Sequence, residues 1–177
     1  MSEPDRAVAD EVRTFLCGFR SLVLATADPD GVPEASYAPF VRLDDNAFQI
    51  YVSELAAHTR NVVATGRASV LLIEPEATAA EIFARRRLSL RCRATTIARG
   101  CPRWVEVLDV FAAKFGAVVD LVRPLEDFVL VRLEPSAGLY VRGFGQAYRM
   151  TGPDLAALRG VNDVGAPTRP TSTDAPG

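Results

Sequence analysis

Short apolar segments of strand length, each closed by a turn signal, run through most of this chain and constrain its fold more than any other feature. Leu22-Val23-Leu24-Ala25-Thr26 is stopped by Asp28-Pro29-Asp30-Gly31, where proline presets a turn and glycine accepts a positive φ. The stretch from Glu34 to Leu43 meets a second turn at Asp44-Asp45-Asn46, and Phe48-Gln49-Ile50-Tyr51-Val52 returns as the third strand of a meander. Ala68 to Ile73, Leu88 to Ile97, Phe128 to Leu133 and Gly138 to Val141 supply further strands, the last two separated by Glu134-Pro135-Ser136. A sheet of many short strands must protect its edges, and closure does so most completely. The expected fold is therefore α+β, an antiparallel β-barrel with short flanking helices.

Helical spacing appears in fewer places. Val8, Val12, Phe15, Leu16 and Phe19 mark an amphipathic helix over Val8 to Phe19, and Trp104, Leu108, Phe111, Ala112 and Phe115 mark another over Pro102 to Phe115. Ser53 to Val63 reads as a short helix capped by Ser53, and the alanine-rich stretch from Pro75 to Phe83 as a third, with proline in its first turn. Leu155 to Leu158 suggests a turn of helix, and the tail from Gly165 to Gly177, rich in Pro, Thr, Gly and Ala, is expected to be disordered. The chain of 177 residues thus divides into one barrel domain over 8–150 and a largely flexible extension over 151–177.

The formal net charge of −2 gives no overall pull towards nucleic acid or an anionic membrane. No apolar run is long enough to cross a bilayer, and Met1 to Val12 carries acids where a signal peptide would be basic and then apolar, so a cytoplasmic location is expected. Cys17, Cys92 and Cys101 are too widely spaced for a disulfide framework or a metal knuckle and read as mostly buried thiols. No nucleophile elbow or Ser-His-Asp order supports a hydrolase.

Two local signals carry chemistry. Arg87, Ser89, Arg91 and Arg93 alternate with Leu88, Leu90 and Cys92, which sets a basic strip on one strand face, preceded by Arg85 and Arg86. Such a strip is either a solvated face paired to nearby acids or a cradle for an anionic cofactor. It lacks the aromatic interleaving of a nucleic-acid surface. His58, the only histidine, lies near the start of a short helix beside Thr59, Arg60 and Asn61, where free backbone N–H groups favour an anion, although a lone histidine equally serves a local structural role. A zinc site built on histidines is excluded by the count.

Four segments in order resemble the heme-utilisation branch of the pyridoxamine-phosphate-oxidase-like family of FMN-binding split barrels. They are Ser36-Tyr37-Ala38-Pro39-Phe40-Val41, Ser53-Glu54-Leu55-Ala56-Ala57-His58-Thr59-Arg60-Asn61, Ala84-Arg85-Arg86-Arg87-Leu88 and Gly143-Phe144-Gly145-Gln146-Ala147-Tyr148. The resemblance implies a split β-barrel, a homodimer with cofactor sites near the subunit seam, and either heme or FMN as cofactor. Its cofactor-binding candidates are Ser36, Tyr37, Ser53, His58, Arg60, Asn61, Arg85 and Arg87. Heme degraders of the branch use a histidine in the C-terminal region as iron ligand; none follows His58 here, so heme iron would take His58 or a different donor. The functions implied are heme binding or degradation in iron utilisation, FMN-dependent oxidoreduction of a small substrate, or a cofactor-free barrel used in binding or assembly.

Overall fold

Alternation decides which way each strand faces, and the burial of successive residues shows it directly. The computed structural model describes residues 3–43, 46–151 and 157–160. On β1 (Ser21–Ala27), Leu22, Leu24 and Thr26 are buried, while Ser21, Val23 and Ala25 are exposed. The same period carries through β4 (Arg67–Ile73) and most of β5 (Arg87–Ile97) and over Tyr37 to Phe40 of β2 (Pro33–Val41), whereas β3 (Phe48–Ser53) is buried from Phe48 to Val52 without alternation and β6 (Phe128–Gly143) alternates only from Val131 to Pro135. With β7 (Gln146–Thr151) and β8 (Ala157–Gly160) they form one sheet in the order β3-β2-β1-β4-β5-β6-β7-β8. A further antiparallel pairing of β3 with β6, from Phe48 opposite Leu133 to Ser53 opposite Phe128, closes six strands into the expected barrel. The long strand β6 makes this closure by serving β3 with its first half and β7 with its second.

Helices close the openings. α1 (Glu3–Cys17) sets Val8, Val12, Phe15 and Leu16 into the barrel core. The buried Tyr140 hydroxyl donates to Glu11 at 2.8 Å, and Glu11 also pairs with Arg142 at 3.0 Å, which ties α1 to β6. α2 (Ala57–Thr65) packs on β1, β2, β4 and β5 and ends at Gly66, whose φ of 64° is a left-handed C-cap. α3 (Pro102–Phe115) and α4 (Val118–Val122) build a second apolar cluster outside the barrel, in which Trp104, Leu108 and Phe111 pack with Tyr51 and Leu130. None of the helices among the described residues is long and apolar enough to cross a membrane.

Four expectations are corrected. Ser53 does not cap α2, which begins at Ala57 after Ala56 without a side-chain cap. Its hydroxyl instead accepts from the Leu55 N–H at 3.1 Å and donates to Asp127 at 2.5 Å. Pro75 to Phe83 is not a helix but two 3-10 turns, Glu76–Thr78 and Ile82–Ala84, because Ile82 and Phe83 are exposed and no apolar stripe seats the segment on the core. Glu134-Pro135-Ser136 does not break the strand: it forms an irregularity opposite Arg91 and Cys92, where Ser136 is the extra residue, a position at which a strand tolerates proline. Ala157 and Leu158 are strand, paired to Thr151 and Met150. Asp44 and Asp45 of the second turn, Leu155, Ala156 and the tail expected to be disordered lie outside the described residues.

Candidate functional site

The eight residues singled out from the sequence fall into separate groups. Ser36 and Tyr37 are adjacent on β2 and therefore face opposite ways. The Ser36 hydroxyl is half-buried and donates to the Leu24 carbonyl at 3.3 Å, whereas Tyr37 points outward with 70% of its surface exposed. Ser53, His58, Arg60 and Asn61 gather at the β3–α2 junction. Arg85 and Arg87 stand at the start of β5. The Ala94 N–H donates to the Gly66 carbonyl at the far end of α2, at 2.8 Å. Arg87 lies seven residues earlier on the same strand, roughly 24 Å away at about 3.4 Å per residue. Among the described residues, no hydrogen bond or ion pair joins the α2 group to Arg85 or Arg87.

At the β3–α2 junction most polar groups are already committed. Arg60 donates to the carbonyls of Glu54 and Leu55 at 3.2 and 2.6 Å, and buried Asn61 donates to buried Thr26 at 3.1 Å. The Nε2 of His58 and the hydroxyl of Thr59 are buried without a partner. Burial lowers the His58 pKa below its ordinary value, and the Glu34 carboxylate works against that shift. With Nε2 turned away from solvent, the imidazole fits a packed residue better than an accessible iron ligand. Among the described residues no cluster of three or more His, Cys, Asp or Glu side chains is placed to hold a metal ion.

The start of β5 is a different environment. Arg85 donates to the Glu74 carbonyl and pairs with Glu76 at 3.0 Å, and Arg86 pairs with Glu74 at 3.0 Å, so both are structural cations. Arg87 donates to the Arg85 carbonyl at 3.1 Å and makes no ion pair. Further along, Arg93 pairs with Glu134 at 2.7 Å, while Arg91 and Arg67 are exposed and have no side-chain partner. Both readings of the strip therefore hold at different positions: Arg93 is neutralised by an acid, whereas Arg91 is free.

Register assembles these cations with apolar residues on one outward face. Tyr37 lies opposite Val23, Val23 opposite Leu71, Leu71 opposite Ser89 and Ser89 opposite Leu139. Ala35, Ala25, Ser69 and Arg91 form the neighbouring row, and Arg87, paired to Ile73, belongs to the row on the other side. Val23 is 40% exposed, so the centre of the face is apolar and open to solvent. At the Arg91 end it opens into a groove of about 1000 Å³ lined by Ser69, Gly66, Arg67, Arg91, Arg93 and Ser136 among others. The sequence placed Arg87 and Tyr37 among the candidates; it missed Arg67, which is isolated in sequence and joins the strip only because β4 pairs with β5, Arg67 opposite Arg93.

Comparison with known proteins agrees with this architecture. The pyridoxamine 5'-phosphate oxidase family model matches residues 8–142. The heme oxygenase HutZ of Vibrio cholerae is 39% identical over 145 residues, covering 82% of each chain. The crystal structure of HutZ, described as a heme storage protein from Vibrio cholerae, superposes with a TM-score of 0.68 at 35% identity, covering 72% of this chain and 89% of that one. The structure of Campylobacter jejuni ChuZ gives 0.81 at 32% identity, covering 93% of this chain and 66% of that one. A heme-binding protein from Mycobacterium smegmatis gives 0.72 at 25% identity, covering 84% and 59%. By fold, closure and sequence the chain belongs to the pyridoxamine 5'-phosphate oxidase family of split barrels, in its HutZ-like branch.

Proposed function

We propose that this protein binds heme on the outward face of β1, β2, β4 and β5 and acts in heme binding or degradation during iron utilisation. The observation that carries the reading is the face itself: an exposed apolar row flanked by Arg87 and Arg91 offers apolar cover to a macrocycle and guanidinium forks to carboxylates on its edge. The kinship with HutZ supports it. Heme, once bound, would supply the redox chemistry, and the protein's part is to position it and to exclude water.

The same reading includes a homodimer. An apolar face this exposed on a folded domain favours a covering partner, and a second copy would bring its own α2 group towards the first copy's arginines. FMN is supported less well. The Ser53 hydroxyl, which the family resemblance placed at the flavin phosphate, donates to the Asp127 carboxylate, and an anion beside that hydroxyl opposes a phosphate.

Parallel titrations with hemin and with FMN test the proposal. A saturating Soret shift with hemin and no saturable FMN response is the expected result. Saturable FMN binding alone would replace heme by flavin, and no response to either would leave a barrel that works by binding or assembly.

A further inference from the structure

Heme iron held on this face needs an axial donor, and the whole chain offers few. Beyond residue 151 the sequence contains no His, Cys, Met, Lys or Tyr. His58 keeps Nε2 buried at the barrel end. Cys92 is buried, its thiol pushed up to about 12 by that burial, and Cys101 caps α3 by accepting from the Trp104 N–H. Met150, Tyr51 and Tyr140 are buried, Tyr148 packs against the core, and Lys114, the only lysine, donates to the Phe40 carbonyl at 3.0 Å. Cys17 is exposed but ends α1, off the sheet face.

Tyr37 is left, and its position is specific. It is 70% exposed, makes no hydrogen bond, and stands on the row that crosses β1 and β4 to meet β5 at Ser89. Arg87 and Arg91 lie two residues to either side of Ser89, about 7 Å away in each direction along the strand. The row through Tyr37 therefore bisects the two arginines. A disc carrying two carboxylates on one edge, with its metal on the axis between them, has the same symmetry. We propose that Tyr37 donates its phenolate oxygen to ferric heme iron while Arg87 and Arg91 each receive one propionate. The phenol proton leaves to solvent as the iron–oxygen bond forms, with no change of oxidation state. This inference rests on the heme reading.

The test compares wild-type protein with Tyr37→Phe, Tyr37→His and Cys17→Ser, each titrated with hemin and followed by absorption and resonance Raman spectroscopy. The expected result is a phenolate-to-iron charge-transfer band with tyrosinate vibrations in wild type and in Cys17→Ser. Both features should vanish in Tyr37→Phe, and an imidazole-type Soret spectrum should appear in Tyr37→His. Tenfold or greater loss of hemin affinity in Tyr37→Phe, with far-ultraviolet circular dichroism unchanged, would count equally in favour. A Tyr37→Phe spectrum identical to wild type, or a spectrum altered only in Cys17→Ser, would overturn the assignment and leave heme binding intact. Absence of a saturable Soret shift in wild type would instead overturn the heme reading on which it stands.

Discussion

An exposed guanidinium without a partner costs the fold little to keep and little to lose, so its effect on ligand binding can be measured cleanly. Arg91 is such a group. Replacing it by alanine should leave the unfolding free energy within about 0.5 kcal/mol of wild type. Hemin affinity should fall roughly 10-fold to 100-fold, the loss of one hydrogen-bonded charge pair worth about 1.5–3 kcal/mol. Equilibrium titration at low and at moderate salt checks both parts, and an affinity unchanged at either salt would remove Arg91 from the site. Glu74 is the opposite kind of residue. It is buried at 9% exposure, and its carboxylate accepts from the Arg86 N–H at 2.8 Å and from the Arg86 side chain at 3.0 Å. The backbone donor, then the Arg86 side chain and charge, hold it below the usual carboxylate range against the opposing effect of burial. A carboxyl with a depressed folded-state pKa contributes stability that is present above its unfolded-state pKa and is lost as the pH falls through the folded value. Glu74→Gln should therefore lower stability at neutral pH by about 1–3 kcal/mol and flatten the acid limb of the pH–stability curve. Urea unfolding between neutral and acid pH measures it.

At the scale of elements, the barrel was legible because its strands are short apolar segments and its turns use residues that stop strands. α3 was legible to the residue: its apolar spacing, the proline at its first position and Gly116 beyond its end all agree. The misread segments are those decided by contacts distant in sequence, made or missing. Ser53 looks like a helix cap until Asp127, 74 residues away, takes its hydroxyl. The alanine-rich stretch before β5 looks helical until the exposure of Ile82 and of Phe83, at 83%, shows that no apolar stripe seats it on the core. The same limit applied to the site: Arg87 and Tyr37 could be picked out singly, but that they flank and share one row of the sheet depends on a β2-β1-β4-β5 order that no local pattern states. The inside of that sheet is also tight. A Cβ built on Gly138 of β6 would lie 2.7 Å from Cδ2 of buried Leu90 and 3.3 Å from the Ser89 carbonyl oxygen. Gly138→Ala should therefore destabilise the barrel by about 1–3 kcal/mol. Thermal unfolding of this variant beside an alanine substitution at half-buried Gly143, where a Cβ meets nothing within 4 Å, separates crowding from a general effect of losing glycine.

For the whole molecule, ligand and fold are linked by mass action. A ligand that binds only the native state, supplied at 100 times its dissociation constant, adds about 2.7 kcal/mol of stability. For a chain of this size each kcal/mol moves the melting temperature by roughly 2–4 °C, so hemin should raise it by about 5–11 °C. The gain is set by the ratio of hemin to dissociation constant. At one fixed hemin concentration a tenfold weaker variant should therefore fall short of the wild-type gain by about 1.4 kcal/mol. Arg91→Ala and Tyr37→Phe should each show that shortfall while melting like wild type without hemin, because neither side chain holds the fold. The dimer adds a second dependence. If two copies cover the apolar face, the melting temperature should rise with protein concentration even without ligand, and Val23→Glu, which sets a carboxylate at the centre of that face, should abolish the rise and give a monomer in light scattering. A concentration-dependent melt that survives Val23→Glu would place the interface elsewhere on the barrel. Val23 also stands on the face proposed for heme, so a hemin-induced shift of equal size in wild type and Val23→Glu would move the heme site off this face.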